Sequence, residues 1–415
     1  MRRKALVACA LLTGVACTID NGTTEPGTPV SINWENCIND FNAPTWMAIK
    51  DGDGAWTRIS PTNGVFTFTI RSGRVAMATY VGGLLTINYT TTDEANASRP
   101  NCIGARRSVT GTLTGYTSLD NVTLQADLGA ATVSGSTPAP ASFTLDDVTP
   151  LTFDVLAVRA RSTTTAGVFT TTPSSVFIRK AQSASPLSLI DLNSTTEAGA
   201  PTSKTLTISN AASGEDLAVF SSLNTPTTAI NLSTYGTTLG TVSGAVTVPI
   251  YGVPASRLGT SDAQTVDVLT SVQVSGSAST SRGAAVSFGD IADKAVTLGP
   301  AIGTVTVSGT ARPKLTYTIQ PEYNRIFQVD FTQGTGISSR AIEIVMTQGY
   351  VGSSATQVSL ETPNLSGLSG FQSAWLLAPG ATASYSFSAA SATYSIYLKN
   401  NQSYLSAGRA GSFIP

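Results

Sequence analysis

Trp34, Trp46, Trp56, Asp51, Asp53 and Arg58 all fall between positions 34 and 58. Side chains of these types can do two kinds of chemistry. Indole rings stack on the apolar face of a sugar, and Asp51, Asp53 and Arg58 would supply polar partners. Asp51-Gly52-Asp53-Gly54 also has the Asp-x-Asp opening of a calcium loop. A complete twelve-residue loop needs an oxygen ligand at position five and a glutamate at position twelve. Here those positions hold Ala55 and Thr62, so the motif reads first as a tight turn and second as a calcium site. The tryptophans have an alternative use as well, because a small domain needs large apolar side chains at its centre.

The remaining inventory excludes more than it offers. The chain has no histidine, which removes Ser-His-Asp and Cys-His catalysis, imidazole zinc sites and histidine acid–base chemistry. Asp146-Asp147 and Glu215-Asp216 are adjacent in sequence. On a strand each pair would point to opposite faces, a poor arrangement for two carboxylates flanking one glycosidic bond. Arg106-Arg107 and Arg159 with Arg161 read as solvated strand ends rather than an anion site. Formal net charge is −1, and phosphate binding requires clustered Lys and Arg, so nucleic acid is not an expected partner.

The N-terminus sets the compartment. Met1-Arg2-Arg3-Lys4 is basic, Ala5 to Ala16 is uncharged and mostly apolar, and Gly14-Val15-Ala16 supplies small residues before Cys17. This is an export signal, too short for a permanent membrane helix. The stretch resembles a bacterial lipoprotein signal, which implies cleavage before Cys17 and diacylation of that cysteine. Plain secretion after the same cut is the alternative. Cys9 would be discarded with the signal, leaving Cys37 and Cys102. In an oxidising compartment these are expected to pair, the alternative being two free thiols.

The elements that must position these residues are strands. Only 12% of residues are charged, and β-branched residues alternate with small polar ones through most of the length, as in strands with one buried face. No helix of substantial length is expected. The sequence divides into a signal (1–17), a flexible tether (18–30), a first β domain (31–106), a second (107–182), a third (183–312) and a last (313–415). The stretch from Cys37 through Trp46 to Asp51-Gly52-Asp53-Gly54-Ala55-Trp56-Thr57-Arg58 is similar to one in uncharacterised exported bacterial proteins. Within the second domain the strands Ser108–Gly115, Asn121–Ala126, Ser142–Val148 and Phe153–Arg159 resemble the carboxypeptidase regulatory-like, prealbumin-type β-sandwich. That resemblance implies a non-catalytic module. The expected fold is therefore all-β, several antiparallel sandwiches of immunoglobulin-like or prealbumin-like type in tandem after a signal peptide.

The functional expectation follows. The chain should be a non-catalytic, lipid-anchored protein of the bacterial cell envelope, at the outer membrane or cell surface, with a structural, adhesive or ligand-binding role and no cofactor other than the calcium alternative. Its partners would be the membrane, through the lipid, and an envelope protein or a glycan. One rival is a carbohydrate-binding protein using Trp34, Trp46, Trp56 and Arg58. Another is a histidine-independent extracellular hydrolase, and a third is an outer-membrane barrel built from the C-terminal strands.

Overall fold

A computed structural model of the chain describes residues 27–33, 44–97, 105–240, 244–275, 278–336, 339–392 and 402–415. The export signal, Cys17, Trp34, Cys37 and Cys102 lie outside the described residues. The first unit holds β1 (Thr28–Asn33), β2 (Trp46–Asp51), β3 (Thr57–Ile59), β4 (Val65–Ile70), β5 (Arg74–Val81), β6 (Leu84–Thr91) and the short helix α1 (Thr92–Ala97). β1 begins three residues inside the stretch read as tether. The second holds β7 (Arg107–Thr114), β8 (Asn121–Ala126), β9 (Gly129–Ser134), β10 (Ala141–Val148), β11 (Phe153–Thr165), β12 (Val168–Gln182), β13 (Ile190–Asp191) and β14 (Ala198–Gly199). The third holds β15 (Thr202–Ala211), β16 (Asp216–Asn224), β17 (Ala229–Thr238), β18 (Gly244–Gly252), β19 (Ala263–Ser275), β20 (Ala278–Phe288) and β21 (Lys294–Thr297). The last holds β22 (Val305–Ser308), β23 (Lys314–Thr318), β24 (Ile326–Gln333), β25 (Arg340–Thr347), α2 (Gln348–Val351), β26 (Gln357–Glu361), β27 (Ala383–Ala390) and β28 (Ser403–Phe413). The protein is all-β.

One long sheet runs through all four units. Its hydrogen-bonded path is β9-β8-β11-β12-β17-β16-β19-β20-β28-β27-β24-β25-β6-β5-β2-β3. At about 4.8 Å between neighbouring strands, a flat sheet of that order would measure roughly 70 Å across. Along it the units stand in the order second, third, last, first, so the first unit meets the last one. Four small sheets form second layers: β1-β4, β10-β7-β13, β18-β15-β21 and β22-β23-β26. Each is paired with the long sheet over its own apolar core, the sandwich arrangement of alternating inward and outward side chains.

Alternation explains how one strand serves two cores. Ala48 of β2 and Ala78 of β5 face the core under β22-β23-β26, together with Phe327, Phe331, Ile342 and Ile344 of the last unit. Met47 and Met77, one residue away, face the opposite side and pack on Phe66, Phe68 and Ile70 of β4. The first and last units thus share one sheet and one core. Val305 of β22 belongs to that same core, although its run lies in the sequence span read as the third unit.

Candidate functional site

The Asp51–Gly54 turn is closed by its own backbone. Gly52 has a φ of +51°, which suits a residue without Cβ, and the Gly54 N–H donates to the Asp51 carbonyl at 2.9 Å. The Asp51 carboxylate accepts from the N–H groups of Arg71 (2.9 Å) and Ser72 (3.0 Å) in the β4–β5 turn. Burial alone would raise its pKa, but these hydrogen bonds from Ser72 and Arg71 outweigh it and hold the group below its ordinary value. Asp53 pairs with Arg74 at 2.9 Å. Arg74 also lies 5.4 Å over the Tyr350 ring, whose hydroxyl reaches the Gly52 carbonyl at 3.5 Å. The Asp51 carboxylate thus ties two turns together, and Asp53 holds Arg74, which meets Tyr350 of the last unit. Among the described residues, no three Cys, Asp or Glu side chains are grouped to hold a metal ion.

Trp46 is 2% exposed. Its indole N–H donates to the Ser369 carbonyl at 3.1 Å, and Trp375 and Phe371 meet it edge-on at 5.5 and 5.7 Å. Tyr80 stacks on Trp375 at 4.0 Å, with 9° between the ring planes. Arg58 covers the Trp46 ring at 5.5 Å and donates to the Met47 and Ile59 carbonyls. A ring enclosed in this way has no face to offer a sugar. Trp56 is half-buried at the margin of the same core. The structure therefore brings together Trp46, Trp56 and Arg58, and places them at the seam with the last unit.

That seam is extensive. β6 runs parallel to β25 over Leu84–Tyr89 and Ala341–Met346. The Tyr89 hydroxyl donates to the Glu361 carbonyl (3.4 Å), and the Thr347 hydroxyl donates to Glu94 of α1 (2.7 Å). On the sheet face away from the shared core, Asp330 of β24 stands opposite Glu343 of β25. The Gln328 amide donates to Glu343 at 2.9 Å and to Asp330 at 3.3 Å, while the Thr86 hydroxyl of β6 donates to Glu343 at 3.2 Å. Burial raises the pKa of both acids, and for Glu343 the neighbouring Asp330 charge adds to it. Sequence reading missed this pair. Each acid falls on the polar parity of an alternating strand, but nothing local tells which strands are neighbours.

Several other charged residues read from the sequence are engaged locally. Glu215 and Arg282, 6% and 5% exposed, form a bidentate pair at 2.5 and 2.9 Å, and Asp216 turns the other way to accept from the Thr238 hydroxyl. Arg106 pairs with Asp127, Arg161 pairs with Asp120 at 2.8 Å, and Arg159 donates to the Gly115 carbonyl and Asn193. An open recess of about 380 Å³ lies between Ala255–Asp262 and Gly289–Asp290. Asp262 in its wall is already held by Lys180 at 2.7 Å and the Gly259 N–H at 2.8 Å.

No family model matches this chain, and no curated protein matches it. Solved structures that match include the crystal structure of the chicken CNTN1 FN1–FN3 domains, 11% identical over 76% of this chain and 88% of that one, with a TM-score of 0.14. A likeness of that size carries no argument for fold or function.

Proposed function

We propose that this protein is a non-catalytic component of the bacterial cell envelope, held by a lipid on Cys17 and serving as a rigid structural or adhesive spacer. The observation that carries this reading is the long sheet. Four sandwich units are joined by backbone hydrogen bonds rather than hung on linkers, and the side chains best suited to ligand chemistry are packed into a seam between units. A continuous ladder resists bending between units because every joint is itself a set of strand pairings. The near-neutral charge, the missing histidine and the enclosure of Trp46 favour support over turnover or sugar stacking. Exposed strand edges and loops would meet the partner protein or glycan.

Intact-mass measurement of the membrane-extracted protein tests the anchored part of this reading. The expected mass begins at Cys17 with a diacylglyceryl addition, and is two protons light from a Cys37–Cys102 bond. A soluble exported chain with unmodified Cys17 would refute the anchor.

A further inference from the structure

We propose that the seam between the first and last units is a proton-operated latch, tight when Asp330 and Glu343 share a proton and looser when both are charged. The two acids stand in register on adjacent antiparallel strands, where like charges directly opposite are destabilising. They share one neutral donor, the Gln328 amide, which reaches both. Among the described residues neither acid has a lysine or arginine within ion-pair distance. Both are half-buried, so water screens the repulsion only in part.

Among the described residues, the neighbours on that face are uncharged. By register and alternation they are Thr86 and Asn88 on β6, Ala341 and Val345 on β25, Gln328 and Thr332 on β24, and Ser386 and Ser388 on β27. The nearest further acid along β25 is Glu94 of α1, at the Thr347 end, where it is occupied by the Thr347 hydroxyl and the Thr91 N–H. Thr86 is the contact that makes the pair a latch, because it belongs to the first unit while both acids belong to the last. With the proton on Asp330, a carboxyl–carboxylate hydrogen bond replaces the repulsion while ionised Glu343 goes on accepting from Thr86, a bond that by itself favours the charged form. Ionising both pushes the Glu343 side chain from its strand partner and strains the β6–β25 contact. Raised values in the folded state mean that the stabilisation is complete below the ordinary carboxylate range and is lost as pH rises through the raised values.

Amide hydrogen exchange on the full chain, corrected for intrinsic rates, reads the latch. Between pH 4.5 and 7.5 the β6 and β25 amides are expected to open about two- to fivefold more, relative to the β8–β11 amides of the same molecule. Asp330→Asn with Glu343→Gln should remove that pH dependence, and Glu343→Gln alone should reduce it. Seam opening that is equal at the two pH values, or a pH dependence that survives the charge-free variants, would overturn the proposal.

Discussion

The seam between the first and last units and the joint between the second and third are built on opposite electrostatics. At the seam, backbone pairing is longer, the shared core is rich in aromatic rings, and the acids Asp330 and Glu343 have no cation partner among the described residues. At the joint, β12 meets β17 only over Phe169–Thr171 and Thr234–Gly236. An apolar core of Leu156, Val158, Ala160 and Val176 with Leu223, Ile230, Leu232 and Val253 spans that joint, and charged side chains add to it. Lys180 of β12 lies between Asp154 (3.2 Å) and Asp262 (2.7 Å), and Arg257 donates to the carbonyls of Val176 (3.1 Å) and Glu197 (2.6 Å). Asp154 is 7% exposed. Burial pushes its pKa up, but the Ala181 N–H, Thr225 and Lys180 outweigh burial and hold it low. A short ladder is thus reinforced by a small apolar core and ion pairs, while a longer ladder over a larger core tolerates an acid pair with no cation partner among the described residues.

The largest effect is expected at the seam. Trp46→Ala empties a site in the core common to two units and should cost about 3–5 kcal/mol. Chemical denaturation would show the loss, and because the core is shared, both the first and last units should lose protection together. If only the first unit responds, the common core is not cooperative.

A smaller effect of different character is expected at the joint. Lys180→Met leaves Asp154 and Asp262 without their shared cation, at about 1–3 kcal/mol given that Lys180 is part-exposed. Because Asp154 titrates low in the folded state, its contribution is present above the ordinary carboxylate range and is lost as pH falls. The difference between wild type and variant should therefore shrink on acidification, the reverse of the seam's behaviour. Denaturation midpoints at pH 7 and pH 2 would distinguish the two.

Much of the second unit was legible from alternation alone. β7, β8 and β10 lie where apolar and polar residues take turns, and their buried positions keep that period, whereas β11 is buried continuously from Phe153 to Val158. β17 and β28 were not legible. In β17, Ser233-Thr234-Tyr235-Gly236-Thr237-Thr238 has no apolar stripe, although its register partners include Leu217, Val219 and Phe220 of β16. In β28, Gly408 and Gly411 weaken any strand signal. A Cβ on Gly408 would lie 2.7 Å from the Ser281 hydroxyl, and one on Gly411 would lie 2.8 Å from the Tyr385 ring, so close approach dictates glycine there. β28 lies between β20 and β27 and so joins the third unit to the last. Phe387 of β27, which β28 pairs with, is in the shared core, 4.9 Å from Tyr317. The seam residues were individually visible, but Trp46 and Ser369 are separated by 323 positions. No local pattern reports a pairing at that distance.

Asn88 and Val345 are register partners across β6 and β25, which suits them to a direct test of whether the chain's first unit is built into its last. Asn88→Cys with Val345→Cys, oxidised and mapped by peptide mass spectrometry, should give one intramolecular disulfide between those two positions, since paired strands hold Cα atoms within disulfide range. Free thiols at both positions in the folded, oxidised protein, or bonding only between separate molecules, would contradict the shared sheet.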